Sequence, residues 1–205
     1  MNAKPADLKR KIAREAATLL YFGGEKECKQ AKLKAAKTLG SHFLPTNLEV
    51  ALELDRITEE TEGAARKERL VQMREEALKI MKTLEAYKPV LIGSVWRGTI
   101  RRGSDIDIAL YHDSPNEIMN LLKANGFDVF KTEWTTVTKK GKTENSCHIY
   151  IETLRKQRIE VVVRSVEEAS QKRKCEVFGD EIKGLNFHEL EKLLKENPAQ
   201  KFVPF

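Results

Sequence analysis

Residues 91–113 read LIGSVWRGTIRRGSDIDIALYHD, and how this stretch is read decides the fold. Asp105, Asp107 and Ala109 alternate with Ile106, Ile108 and Leu110, the period of two expected of a half-buried strand. Just upstream, PVLIGS is a short apolar run without a polar face, again strand-sized. Between the two lie a Gly-Ser turn and three arginines, Arg97, Arg101 and Arg102. The segment is therefore expected to be strand, turn, short helix from Val95, then strand.

Upstream the period is helical. Leu8, Ile12, Ala16, Leu19 and Leu20 recur at helical spacing and stop at Gly23-Gly24, a glycine stop signal. A second helix is expected over Glu25–Leu39. Thr46 and Glu49 form a capping-box pattern that opens a third, which Gly63 ends or interrupts. Leu70, Met73, Ala77, Ile80, Met81 and Leu84 make one amphipathic stripe. Residues 1–86 are thus expected to form an all-helical N-terminal domain of unknown role, with the boundary where the period changes near Tyr87 and Lys88.

Downstream, Ser114-Pro115-Asn116-Glu117 combines a capping box with proline at the first helical position, predicting a helix to about Ala124. Strands are expected over Asp128–Thr138 and Glu144–Leu154, joined through KKGK with Gly141 at the turn, then in RIEVVVR. Phe130 is assigned to the core, and Trp134 shares its face. Ser165 with Glu168 and Asn186 with Glu189 open two further helices. The tail KFVPF is apolar and is expected to dock on a neighbour. The fold class is α+β: helices first, then residues 87–205 as a mixed β-sheet flanked by helices.

With 40% hydrophobic and 33% charged residues the composition is that of a soluble globular chain, and no apolar run reaches a membrane span. Three widely spaced cysteines lack any CxxC pairing, which argues against a disulfide framework or zinc knuckle and fits a reducing cytoplasm. The net charge of +6 is compatible with a polyanionic partner, though the excess is spread over both halves of the chain.

The chemistry concentrates between Gly93 and Asp107. Gly93 lets backbone approach a ligand, Ser94 adds a hydroxyl, and the following helix points amides toward phosphate. Asp105 and Asp107 leave the same face of a strand, and a divalent ion would offset their repulsion. Hard oxygens suit Mg²⁺ (or Mn²⁺) shared with a substrate triphosphate. A two-metal arrangement calls for a third carboxylate. Glu160, set among apolar neighbours in RIEVVVR, is the first candidate and Glu152 the fallback. RKQR, Arg155–Arg158, directly precedes Glu160 and is a candidate for an acceptor phosphate. His112 and His148 have no partners at zinc-ligand spacing.

GSVWRGTIRRGSDID, a GS followed by ten residues and then DxD, resembles the signature of the DNA polymerase beta-like nucleotidyltransferase superfamily. Within it, G-S-x-x-R-G-T followed by S-D-I-D-I looks most like the minimal nucleotidyltransferases and the catalytic motif of archaeal-type CCA-adding enzymes, and RIEVVV looks like their third-acid strand. The resemblance implies an enzyme that moves a nucleoside monophosphate from an NTP, ATP foremost, to an acceptor hydroxyl and releases pyrophosphate. It implies nucleotide binding by Gly93, Ser94, Arg97 and Ser104, and metal binding and catalysis by Asp105, Asp107 and Glu160, where the family usually has Asp. A tRNA-like RNA end is the expected acceptor; a partner protein or a small molecule is the alternative. A second hypothesis is a non-catalytic nucleotide- or RNA-binding module on the same fold.

Overall fold

In the structure, a computed structural model, residues 5–139, 142–153 and 155–204 are described. The turn expected at Gly141 and the strand end at Leu154 fall outside them. The chain forms two compact units, one of residues through Arg66 with Lys174–Asp180, the other of Lys67–Arg173 with Glu181–Val203. Among the described residues no helix is long and apolar enough to cross a membrane.

The first unit is built from α1 (Pro5–Tyr21), α2 (Cys28–Thr38) and the first part of α3 (Asn47–Thr83). Its core is rich in small side chains: Ala13, Ala16 and Ala17 meet Ala31, Ala35 and Ala36, with Ile12, Val50 and Ile57 beside them. The capping box forms, with the Thr46 amide donating to Glu49 Oε2 at 2.7 Å and the Glu49 amide to Thr46 Oγ1 at 3.2 Å. Buried Glu53 is held by Arg56 at 2.6 Å and Arg14 at 3.4 Å, and buried Arg66 pairs with Asp55 and Glu59. Gly63 interrupts α3 with non-helical φ 48° and ψ −127°.

The expected boundary at residue 86 does not coincide with the division between the units, which lies between Arg66 and Lys67. The stripe of Leu70, Met73, Ala77, Ile80, Met81 and Leu84 is the reason, because it packs in one hydrophobic cluster with Leu91, Ile106, Ile108 and Leu110. Change of period marks where strands begin, and burial assigns this helix to the sheet.

That sheet has the order β3-β4-β5-β2-β1-β6, from β1 (Val90–Ile92), β2 (Ile106–Tyr111), β3 (Asp128–Lys139), β4 (Lys142–Glu152), β5 (Arg158–Arg164) and β6 (Leu185–Asn186). All neighbours are antiparallel except β2 and β5, so the sheet is mixed as expected. The short helix α4 (Gly93–Arg97) joins β1 to β2, α5 (Pro115–Ala124) follows β2, and α6 (Phe187–Glu196) follows β6. Ile106, Ile108, Leu110, Ile159, Val161, Val163, Cys147, Ile149 and Ile151 share one face and one core with Ile118, Leu122, Leu190 and Leu193 of the helices. The other face carries Asp107, Ala109, Glu160 and Val162. Two-residue β6 has too little pattern to be read from sequence; Gly184 permits it, since a Cβ there would lie 2.6 Å from Leu91 O at φ +69°.

Three local expectations are corrected. Ser114 makes no side-chain cap; Glu117 turns instead to His112 at 3.1 Å and to the Tyr87 hydroxyl at 3.0 Å. Phe130 is 53% exposed, not core, because it is the extra residue where the β3–β4 register shifts between Val129 and Lys131, on an edge strand. Trp134 on the same strand is 66% exposed. The tail does dock: Phe202 packs on the sheet core and its amide donates to Arg97 O at 2.9 Å.

Candidate active site

The site is organised by register. Asp107 stands opposite Ile92 of β1 on one side and opposite Glu160 of β5 on the other. Parallel pairing places the Asp107 and Glu160 carboxyls side by side on the open face, where the charge of Glu160 acts on Asp107. Asp105, one step before β2 and of the same parity, adds a third negative group.

Gly93 follows Ile92 directly at φ +71°, and a Cβ built on it would fall 1.9 Å from Asp107 Oδ2. Only a glycine lets the turn and that carboxylate occupy adjoining space. This is a stricter condition than a permissive turn, and it ties the Gly-Ser motif to the Asp-x-Asp motif physically. Ser94 sits in the first turn of α4 and its carbonyl accepts from the Thr99 amide at 3.0 Å.

Electrostatics follow from the crowding. Burial, then the charges of Glu160 and Asp105, push the Asp107 carboxyl up to about 7. Burial also raises Asp105, against the pull of the Arg158 guanidinium and with the push of Glu160. Such a set holds its charge readily only with a cation present.

Glu160 has partners that the sequence did not reveal. Its Oε1 lies 2.6 Å from His148 Nδ1, and His148 Nε2 lies 2.9 Å from Ser146 Oγ. Burial and the Glu160 charge push the Tyr150 hydroxyl well above its ordinary value, and it donates to Glu133 at 3.0 Å. His148 was set aside for want of zinc-ligand spacing; its register on β4, opposite Val162, brings it to Glu160. Glu152, the fallback acid, stands opposite Arg158, two residues along β4 from Tyr150, which stands opposite Glu160.

Two expected nucleotide-binding residues are otherwise engaged. Arg97 is buried, donates to Phe202 O at 3.1 Å and lies 4.4 Å over the Trp96 ring. Its guanidinium holds the tail. Ser104 closes its own turn, accepting from the Arg101 amide at 3.0 Å and from Gln157 at 3.0 Å through its carbonyl. Beside Arg97, fully buried Arg74 of α3 donates to four carbonyls, those of Val95, Trp96, Pro198 and Gln200. Burial lowers its pKa to about 10. Arg74 therefore fixes the C-terminal half of α4 and the tail to one point.

The donor chemistry fits a divalent ion: carboxylate oxygens, mutually repelling, beside a backbone turn without a side chain. As placed, no group of three or more acids, histidines or cysteines among the described residues is gathered as a metal cage. Glu160 is turned to His148, and the Asp105 and Asp107 pair would be the first to hold an ion.

A family model described as a nucleotidyltransferase domain matches residues 74–197, more than half of the chain. A comparison with curated proteins found no match. Among solved structures, Cid1 in complex with its short product ApU is 17% identical over 46% of this chain and 31% of that one, with a TM-score of 0.33. Cid1 in complex with a UTP analogue is 14% identical over 58% and 38%, with a TM-score of 0.34. A cytoplasmic RNA terminal U-transferase is 16% identical over 46% and 30%, with a TM-score of 0.32. The chain spans about a third of the length of these structures.

Proposed function

The chain belongs to the nucleotidyltransferase domain family, and on that premise we propose that it transfers a nucleoside monophosphate from an NTP to a hydroxyl at an RNA end. The acceptor oxygen bonds to the α-phosphorus as the α–β bridging P–O bond breaks, and pyrophosphate leaves with the electron pair. Glu160 takes the hydroxyl proton, oriented by His148. Asp105, Asp107 and Glu160 would hold Mg²⁺ or Mn²⁺, which when bound neutralises the triphosphate and the developing charge. Gly93 and Ser94 cradle the phosphates.

The observation that carries this reading is the side-by-side Asp107–Glu160 pair against a turn that only Gly93 can make. ATP is the first nucleotide to test. The net charge of +6 favours an RNA acceptor, tRNA-like in the first instance. Three free cysteines agree with a cytoplasmic setting. Residues 1–86 remain assigned no chemistry of their own.

Incubation with each α-labelled NTP, Mg²⁺ or Mn²⁺, and total RNA tests the reading. Label entering RNA supports it. Label entering only a protein or a small molecule overturns the acceptor, and nucleotide binding without any transfer favours a binding module.

A further inference from the structure

The open face of the sheet continues past the carboxylates into a cavity. Two residues along β2 from Asp107 stands Ala109, then Tyr111; beside them on β5 stand Val162 and Arg164, and Ile92 and Val90 flank on β1. A cavity of about 550 Å³ begins there, lined by Ile92, Ala109 and Tyr111 along the sheet and by Arg164, Lys172 and Lys183 among its other walls. Its near edge is Ile92, the residue opposite Asp107. Its far edge is Tyr111, four residues beyond Asp107 and about 13 Å along the sheet.

We propose that this cavity seats the acceptor, and that its occupant is a terminal nucleotide with its base on the Ala109–Tyr111 floor and its phosphate on the Arg164, Lys172 and Lys183 side. The inference rests on the transfer reading above and adds to it where the second substrate lies.

Direction along the strands is the first support. Gly93 and Ser94 follow Ile92, so in the antiparallel pairing of β1 with β2 the phosphate turn lies toward Asp105. The cavity lies the other way, toward Tyr111. In-line displacement requires the attacking oxygen to enter opposite the leaving pyrophosphate. With the triphosphate on the Gly93 side, the acceptor comes from the Ala109 side, where the cavity is.

Its chemistry is the second. Aliphatic and aromatic side chains make the floor, which suits a base face. Arg164 is half-buried, and burial together with neighbouring Arg173 lowers its pKa, the mark of a cation short of compensation. Tyr111, Glu168 and Glu144 offset this in part. Glu168 and Glu144, however, already bind Arg173, at 2.5 Å and 3.1 Å. Lys172 reaches Glu181, also at the cavity wall, at 3.3 Å, and Lys183 is exposed. Cations outnumber carboxylates there, as a phosphate requires. The volume lies in the range of small-molecule sites and takes one nucleotide. A folded protein surface does not fit in it.

The same chemistry is carried by a free nucleoside monophosphate and by an RNA end, and binding separates the two. The full chain is titrated with AMP and with a fluorescent oligoadenylate RNA, without NTP or metal. We expect Arg164→Gln and Lys183→Glu each to weaken RNA binding about tenfold, the loss of one charge-assisted contact, and Ala109→Leu to weaken it by filling the floor. ATP affinity stays within about twofold of wild type in all three. RNA binding tighter than AMP assigns the cavity to an RNA end; equal binding assigns it to a free nucleotide. RNA and AMP that bind all four proteins alike, or that fail to bind wild type, overturn the seat. Label transfer run in parallel keeps the two readings apart. Transfer with an acceptor KM untouched by these variants sinks the seat and leaves the reaction. Binding lost in the variants, with wild type transferring nothing, sinks the reaction and leaves the seat.

Discussion

Replacing Asp107 by asparagine should remove activity in the presence of metal and increase the stability of the metal-free protein, and the gain should depend on pH in a defined way. The carboxyl is pushed from an ordinary 3.8 up to about 7 by burial, Glu160 and Asp105. At roughly 1.4 kcal/mol per pH unit, the ionised form costs the folded state about 4 kcal/mol. Water reaching the half-buried side chain lowers that to about 2–4 kcal/mol. The sign follows from proton binding. The folded state holds the Asp107 proton more tightly than the unfolded chain, so this group's contribution is most favourable below pH 4, falls as pH rises through 7, and is flat beyond. Asparagine keeps the shape, donates to Glu160 and carries no charge. Urea unfolding in EDTA, followed by tryptophan fluorescence, reads the relevant unit, since Trp96 and Trp134 both lie in it. The variant should exceed wild type by about 2–4 kcal/mol at pH 8 and by less than about 1 kcal/mol at pH 4.5. Carboxylates away from the Asp105, Asp107 and Glu160 cluster titrate alike in both proteins and cancel. A difference independent of pH, or a variant less stable than wild type at pH 8, would refute the reasoning.

Gly93→Ala adds a methyl 1.9 Å from Asp107 Oδ2 at φ +71°; it should destabilise by about 1–2 kcal/mol and lower label transfer about a hundredfold, read from unfolding curves and initial rates. Arg74→Ala leaves four carbonyls without their donor and should cost about 3 kcal/mol or more, with faster proteolysis between Pro198 and Phe202; Arg74→Lys should recover little, because an ammonium cannot reproduce the guanidinium fork. His148→Ala removes the 2.6 Å contact to Glu160 and should reduce turnover about ten- to hundredfold while nucleotide affinity, measured by titration, hardly moves.

Much of this was legible from the chain. Period two in SDIDIALY placed β2, the apolar run in RIEVVVR placed β5, and the capping pairs Thr46–Glu49 and Asn186–Glu189 placed two helix starts, because those signals are local. The spacing of Gly93-Ser94 and Asp105-x-Asp107 also carried information, since the structure packs Gly93 against Asp107. What was not legible depended on distant partners. Arg97 follows the turn in sequence, and its bond to the tail at Phe202 comes from 105 residues away. His148 reached Glu160 through strand register that no single strand encodes. Ser114 matched a cap pattern, but Tyr87 and His112 competed for its glutamate. Phe130 belonged to the core by composition and was expelled by a bulge.

If Asp105 and Asp107 serve nucleotidyl transfer, their joint removal must stop label from reaching RNA. Wild type and the Asp105→Ala/Asp107→Ala variant are each incubated with α-labelled ATP, Mg²⁺ and RNA, and label is followed into the RNA. Wild type should transfer label in a reaction that EDTA abolishes, and the variant should lose about a thousandfold or more. A variant that labels RNA as well as wild type would contradict it.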